Sequence, residues 1–359
     1  MTRFRHAIVV TVLTLVGAVG LYFLFDIMFR RPVAASAEAG PIENLFQAHF
    51  VAMAVLFSFI MVFMLYAVFV FRRKDGDETD GPHIHGNTGL EIAWTILPTI
   101  IVVGFGVYGT VILNDITAPN QNEMPVTVIG RQWNWSFQYP ELENRGSAEL
   151  VLPVDRPVLI NLESEDVLHS FWVPEFRVKQ DLVPGYPQVL RLTPTMEGNY
   201  RLICAEICGL EHANMRADVR VVSQAEFEQW SADLLAKPLP SELSQAERGE
   251  FWYSAEGFGC NACHSLDGSQ MSGPTWQGIV GREEEMADGT TVVADEAYLR
   301  ESILNPDAKI VAGYDSNLMP ENYAEQFAAR EQELLLAENF ETDIVEDLIA
   351  FMMTLEAEE

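Results

Sequence analysis

At 359 residues the chain exceeds one ordinary domain of roughly 100 to 200 residues and suits two or three. A hydrophobic share of 49% with 11% aromatics excludes a disordered chain and points to a part lying in lipid. The formal net charge of -30 excludes nucleic acid as a natural partner, because phosphate binding requires Lys and Arg.

Three charge-free stretches, Ala7 to Phe25, Phe50 to Phe71 and Ile92 to Leu113, are long enough to cross a bilayer as helices, which takes about 20 residues. Arg3 and Arg5 precede the first, and Arg72, Arg73 and Lys74 follow the second, so the positive-inside bias puts both groups in the cytoplasm. Arg30 and Arg31 run against that bias. The expected protein is multi-pass in lipid of a bacterial cytoplasmic membrane, with the long remainder on the outer (periplasmic or extracellular) face. The first stretch has a second reading as a signal peptide cleaved at Ala35-Ser36-Ala37. Its apolar run is longer than a usual signal core and Ala37 lies far beyond its end, which favours a retained helix. His83 and His85 read as residues of the cytoplasmic loop.

After Leu113 the pattern changes to short strand-like runs separated by turn residues: Pro125 to Ile129, Trp133 to Tyr139, Glu149 to Pro153, Val158 to Leu162, Gln188 to Leu192, Asn199 to Ile203 and Ala217 to Val222. This spacing predicts an all-β sandwich or barrel. Gln224 to Leu235 reads as helix. Lys237-Pro238-Leu239-Pro240 then forms a short stiff linker to a further domain. Its first and last segments, Ser244 to Ala255 and Thr342 to Leu355, show helical apolar spacing, with Ser241 and Thr342 among the N-cap candidates. From Val221 to Glu359 there are 29 Asp plus Glu against 6 Lys plus Arg, a net -23. That surface suits a basic protein partner; the plain alternative is a solubilising face.

The 4 cysteines fall in two pairs. Cys204 and Cys208 stand in Cys204-Ala-Glu206-Ile-Cys208-Gly-Leu-Glu-His212-Ala-Asn-Met215, with His169 upstream in Asp166-Val-Leu-His169-Ser-Phe-Trp. An exported protein could join such cysteines as a disulfide, but a structural disulfide needs no surrounding ligand residues. Thiolates, imidazoles and a thioether together select copper. With two thiolates, two coppers can share bridging sulfurs and one electron, and the geometry then changes little between redox states.

From Phe46 to about Val222 the sequence resembles subunit II of cytochrome c oxidase, whose CuA domain carries C-x-E-x-C-x-x-x-H-x-x-M and an upstream histidine. The resemblance implies a dinuclear copper centre bridged by Cys204 and Cys208, capped by His169 and His212, with Met215 as a weak ligand and Glu206 contributing its backbone carbonyl. It also implies a magnesium ion shared with subunit I, to which the Glu206 carboxylate contributes. Taken alone, Trp133-Asn-Trp135-Ser-Phe137-Gln-Tyr139 is strand core; the resemblance instead makes Trp133 the point where electrons arrive, and both readings stand. Glu91 opens Leu90-Glu91-Ile92-Ala93-Trp94-Thr95-Ile96-Leu97-Pro98. Such an acid is often an interfacial anchor, but the family's E-x-x-W-T-x-x-P pattern implies the mouth of a proton pathway into subunit I.

The second pair, Cys260-Asn-Ala-Cys263-His264, is the c-type haem attachment motif, with two thioethers and a proximal histidine. Gly273-Pro274 follows, and similarity to cytochromes c implies that the Pro274 carbonyl orients His264. Met319-Pro320 lies downstream, and since a His/Met pair is the usual cytochrome c ligation, Met319 is the expected sixth ligand; Met271 and Met286 lack that context. From about Ser241 to Leu355 the chain is similar to a class I cytochrome c. The expected architecture is therefore multi-domain: an N-terminal apolar helix with an outer loop over 1–47, a transmembrane helical hairpin over 48–115, a cupredoxin-like β-sandwich with CuA over 116–236, and an all-α cytochrome c over 237–359. The resemblance implies a caa3-type oxidase subunit that takes electrons from cytochrome c or a donor complex and passes them to subunit I, beside other oxidase subunits. The alternatives are the CuA subunit of a nitric oxide reductase, a quinol oxidase subunit, against which the intact ligand set argues, and a stand-alone electron carrier.

Overall fold

The computed structural model describes residues 3–73, 75–76, 80–81, 83 and 85–355; Lys74, one of the flanking cations, lies outside them, as does the side chain of Arg3. The chain divides into two compact units, Met1–Ala118 with Glu175–Arg177, and Pro119–Pro174 with Val178–Glu359.

The first unit is helical. α1 (Arg3–Met28), α2 (Ala39–Val70) and α3 (Thr88–Ile116) contain the three apolar stretches and, among the described residues, are the helices long and apolar enough to cross a membrane. α2 begins well before Phe50, inside the segment expected as outer loop. Two of its polar residues are satisfied within the helical unit: His49 Nδ1 bonds the Leu45 carbonyl one turn back at 2.8 Å, and Gln47 pairs with Tyr22 of α1 at 3.1 Å. α1 and α2 meet at small residues, as helices in lipid do. Ser58 donates to the Thr14 carbonyl at 2.8 Å, and a β-carbon on Gly17 would come 2.3 Å from Ser58 Oγ.

The second unit starts with ten strands: β1 (Met124–Arg131), β2 (Asn134–Tyr139), β3 (Arg145–Ser147), β4 (Leu150–Pro153), β5 (Val158–Ser164), β6 (His169–Trp172), β7 (Lys179–Leu182), β8 (Gln188–Leu192), β9 (Gly198–Cys204) and β10 (Arg216–Val222). They form two five-stranded sheets, ordered β3-β2-β1-β5-β8 and β4-β10-β9-β6-β7. The pairs β1/β5 and β4/β10 are parallel, and the other pairs are antiparallel. This is the cupredoxin-like sandwich expected. Alternate residues such as Val126, Val128, Ile160, Leu162, Val219 and Val221 are buried between the sheets, as strand geometry requires. The sequence pattern did not reveal β3, β6 and β7, because runs of three or four residues containing Gly, His or Lys carry no legible alternation.

At the end of β1 the alternation fails: Ile129, Gly130 and Arg131 are all buried. The outer face there is covered by the helical part of the same unit, comprising α4 (Gln224–Ala236), α5 (Gln245–Tyr253), the hairpin β11 (Glu283–Glu285) and β12 (Thr291–Val293), α6 (Glu296–Leu304), α7 (Tyr323–Glu338) and α8 (Ile344–Met352). The hairpin departs from the all-α expectation; its turn is set by Asp288-Gly289, with Gly289 at φ 82°. The caps also differ from the candidates read above. Ser244 caps α5 with Glu247 in a reciprocal capping box, while Ser241 bonds Glu338. Asp343 caps α8, while Thr342 donates to Asp347 at 2.7 Å.

α5 and α8 cross so closely that a β-carbon on Gly249 would lie 2.0 Å from the Asp347 carbonyl oxygen. The buried Asp347 carboxylate also accepts from Arg248 at 2.9 and 3.0 Å and from Trp252 Nε1 at 3.0 Å. Removing one partner of such a pair leaves the other charge uncompensated, at a cost of about 3 to 5 kcal/mol. Asp347→Ala should therefore lower the unfolding free energy of the helical part by about 3 kcal/mol, measurable by denaturant titration of Trp252 fluorescence.

Candidate functional site

The loop between β9 and β10 carries most of the soft ligands, and the neighbouring strand supplies His169. β6 pairs with β9 so that Phe171 faces Cys204, and the Ala205 amide donates to the Ser170 carbonyl at 3.0 Å. The loop is closed at its other end by the Cys204 amide, which donates to the Met215 carbonyl at 3.1 Å. The result brings His169, Cys204 and Cys208 together, all buried, with ligand atoms within 4.8 Å of one another.

The sulfurs of Cys204 and Cys208 are 3.8 Å apart. Cys208 Sγ lies 3.6 Å from His212 Nδ1 and 3.6 Å from Met215 Sδ, and Cys204 Sγ is 3.2 Å from the Glu206 carbonyl oxygen. All six expected copper-site residues thus converge, although His212 stands outside the tight trio. His169 Nε2 is taken by Asp166 Oδ1 at 2.7 Å, which leaves Nδ1 buried with no hydrogen-bond partner. A buried orphan of this kind calls for a missing partner, and a soft metal between the sulfurs supplies one. The donor set therefore fits copper.

The electrostatics agree. Its hydrogen bond with Cys208 pushes the Cys204 thiol well down, His169 and nearby main chain adding to this against burial. The same bond, then burial, pushes Cys208 up, so the pair shares one proton and offers a thiolate to a metal. Burial works against protonation of His169, but the Asp166 hydrogen bond outweighs it together with Cys204, and the imidazole stands above its ordinary value.

Trp133 sits with Gln132 in the two-residue turn joining β1 to β2. It is only 7% exposed. Trp133 Nε1 and Gln132 Nε2 both donate to the Cys208 carbonyl, at 3.2 and 2.7 Å. The approach is close enough to need glycine next door: Gly209 has φ 123°, and a β-carbon there would meet Trp133 Cζ2 at 2.9 Å.

On its other side this turn lines a cavity together with Cys260, Cys263, His264, Pro274, Met319 and Tyr323. His264 Nδ1 bonds the Pro274 carbonyl at 2.8 Å, and Tyr253 donates to the His264 carbonyl at 2.5 Å. A β-carbon on Gly273 would lie 2.6 Å from His264 Cε1. Burial pushes the Cys260 thiol up to about 12 and holds His264 below its ordinary value. A neutral imidazole, two uncharged thiols and an apolar cavity fit a covalently held haem; Met271 and Met286 do not line the cavity, whereas Met319 does.

Glu91 lies in the first turn of α3, exposed, and its carboxylate accepts from the Asn87 amide at 3.2 Å. Sequence reasoning missed Asp166 and Gln132. Asp166 was findable, because an acid three residues before a ligand histidine is a common orienting partner; Gln132 carried no signal.

Gly130 gives His169 its room. A β-carbon there would stand 3.1 Å from His169 Cδ2 and 3.0 Å from Leu182 Cδ2. Gly130→Ala should weaken copper retention and shift the copper resonance spectrum, with an overpacking cost of about 1 to 3 kcal/mol; an unchanged spectrum would mean that His169 needs no such clearance.

Two family descriptions match the chain: cytochrome c oxidase subunit II, transmembrane domain, over residues 23–112, and cytochrome c oxidase subunit II, periplasmic domain, over residues 145–222. Among curated relatives, cytochrome c oxidase subunit 2 of Synechocystis sp. is 33% identical over 258 residues, covering 59% of this chain and 77% of the relative. The subunit 2 of Thermostichus vulcanus is 31% identical, covering 55% and 76%. The crystal structure of the periplasmic domain of subunit II from Bradyrhizobium japonicum is 27% identical with a TM-score of 0.31, covering 32% of this chain and 95% of that one.

Proposed function

Because the chain belongs to the cytochrome c oxidase subunit II family, we propose that it is the donor-facing subunit of a caa3-type oxidase, with a c-type cytochrome fused behind its CuA domain. Membership makes it a membrane-bound oxidase component with a copper domain. The observation that carries the finer reading is the shared position of Gln132 and Trp133, which bond the carbonyl of Cys208 and also line the cavity of Cys260, Cys263 and His264.

In this reading Cys204, Cys208, His169, His212, Met215 and the Glu206 carbonyl hold two coppers, and Asp166 keeps His169 turned towards them. Cys260 and Cys263 would anchor the haem, His264, oriented by the Pro274 carbonyl, would ligate it, and Met319 would supply the second protein ligand. When bound, these groups supply the one-electron chemistry that connects a cytochrome c donor or donor complex to subunit I, where oxygen is reduced to water with proton pumping. The burial of the copper residues keeps water from the sulfurs. The Glu206 carboxylate serves a magnesium ion at the boundary with subunit I, and Glu91 the mouth of a proton pathway. All three apolar helices are membrane spans, with the copper and cytochrome domains outside.

The test uses the purified full chain. It should retain haem after acid-acetone extraction, and the double variant Cys260→Ala/Cys263→Ala should lose that retention. The haem should be low-spin, and Met319→Ala should convert it to high-spin without altering the mixed-valence copper signal. Extraction of all haem from the native chain, or a low-spin spectrum that survives Met319→Ala, would overturn the corresponding assignment.

A further inference from the structure

The segment just ahead of the haem attachment motif is fastened to the copper domain, and we infer that Arg131 and Asn134 are positioning residues that hold the C-terminal domain on the sandwich in one pose. The inference rests on the haem reading only for its electron-transfer consequence; the fastening itself is independent of it.

Arg131 ends β1 and is 8% exposed, which an arginine tolerates only when its donors are used. Its Nη1 donates to the Gly257 carbonyl at 2.5 Å, its Nε donates to Glu165 at 2.6 Å, and its guanidinium lies 5.2 Å from the centre of the Phe258 ring. The charge is thus compensated on the sandwich side by Glu165 and spent across the interface on a carbonyl and an aromatic face. Asn134, across the β1–β2 turn, donates to the Ala255 carbonyl at 3.0 Å. The loop is shaped for this contact. Gly259, at φ 70°, would with a β-carbon come 2.8 Å from Asn134 Nδ2, and Gly257 would come 2.4 Å from the Phe251 carbonyl oxygen.

A second tie lies at the linker. Arg145 donates to the carbonyls of Lys237 and Leu235 at 2.9 and 3.2 Å, and Lys237 pairs with Glu256 at 2.8 Å. Lys237, the first linker residue, is therefore tied to the sandwich by its carbonyl and to the C-terminal domain by its side chain. Gln132 and Trp133 lie between Arg131 and Asn134 in sequence, so the two fasteners flank the turn that joins the cavity to Cys208. Cys260 immediately follows the fastened loop. The same contacts that hold the domains together thus set the distance between the two cysteine sites.

The experiment uses the full chain carrying copper and haem, as Arg131→Gln and, in case that variant folds poorly, Asn134→Ala. Two readouts are taken: digestion with a glutamate-specific protease, and transfer from haem to copper after photoinduced electron injection by a ruthenium bipyridyl sensitiser. Loss of a charge-assisted hydrogen bond should speed cleavage after Glu256 at least about tenfold while sites in α7 and α8 keep their native rates. Transfer should slow by at least about tenfold and become dependent on solvent viscosity, with both spectra unchanged; a residue that only stabilised its own sheet would not produce that dependence. Native protection of Glu256 and viscosity-independent transfer in both variants would overturn the inference. If the native chain carries no covalent haem, the cytochrome reading fails, and the protease arm still decides the fastening.

Discussion

Two buried sulfurs 3.8 Å apart cannot be kept in place by their own loop, and the rest of the site depends on how that loop is restrained. The residues from Ala205 to Met215 form no strand, so their position comes from the ends of β9 and β10, from the amide of Ala205 on β6, and from the carbonyl of Cys208. That carbonyl accepts two side-chain donors from the β1–β2 turn. A buried acceptor with two donors resists displacement more than one with a single bond, because freeing it would leave unsatisfied polar groups. The sandwich therefore fixes the metal ligands before any metal arrives, which is what a redox site of small reorganisation requires.

The ligands were legible in the sequence because each belongs to a short motif whose spacing is set by local chain geometry. Cys204 to Met215 is one loop, and Cys260 to His264 is one turn. The apolar spans were legible by composition. What stayed hidden was long-range: Arg131 and Asn134 meet their partners across separations of 126 and 121 residues, and nothing in either neighbourhood marks them. The helix caps were hidden for another reason. Ser241 and Thr342 are good cap residues by type, but Thr342 is used by Asp347 instead, so a tertiary contact overrode the local preference. α7 was obscured by its acidic and alanine-rich composition, and the hairpin interrupts what the flanking helices suggested was an all-helical domain.

The acidity of the C-terminal region has a structural side as well. Its six cations, Lys237, Arg248, Arg282, Arg300, Lys309 and Arg330, each form an ion pair with a carboxylate of the same region. Most of the other described acids there are exposed, with no Lys or Arg left over within that region. Such a surface presents a single sign of potential, which speeds encounter with a basic partner and weakens as salt rises.

The burial of Trp133 has a kinetic consequence. With that ring under the C-terminal domain, a diffusing protein does not reach it. The approach to the copper site is instead filled by a part of the same chain. With the proposed haem in that part, delivery there would be a unimolecular event whose rate does not fall on dilution, since the tethered neighbour is present at a fixed effective concentration. In that reading only the earlier encounter, on the acidic C-terminal surface, would depend on how much donor the cell supplies.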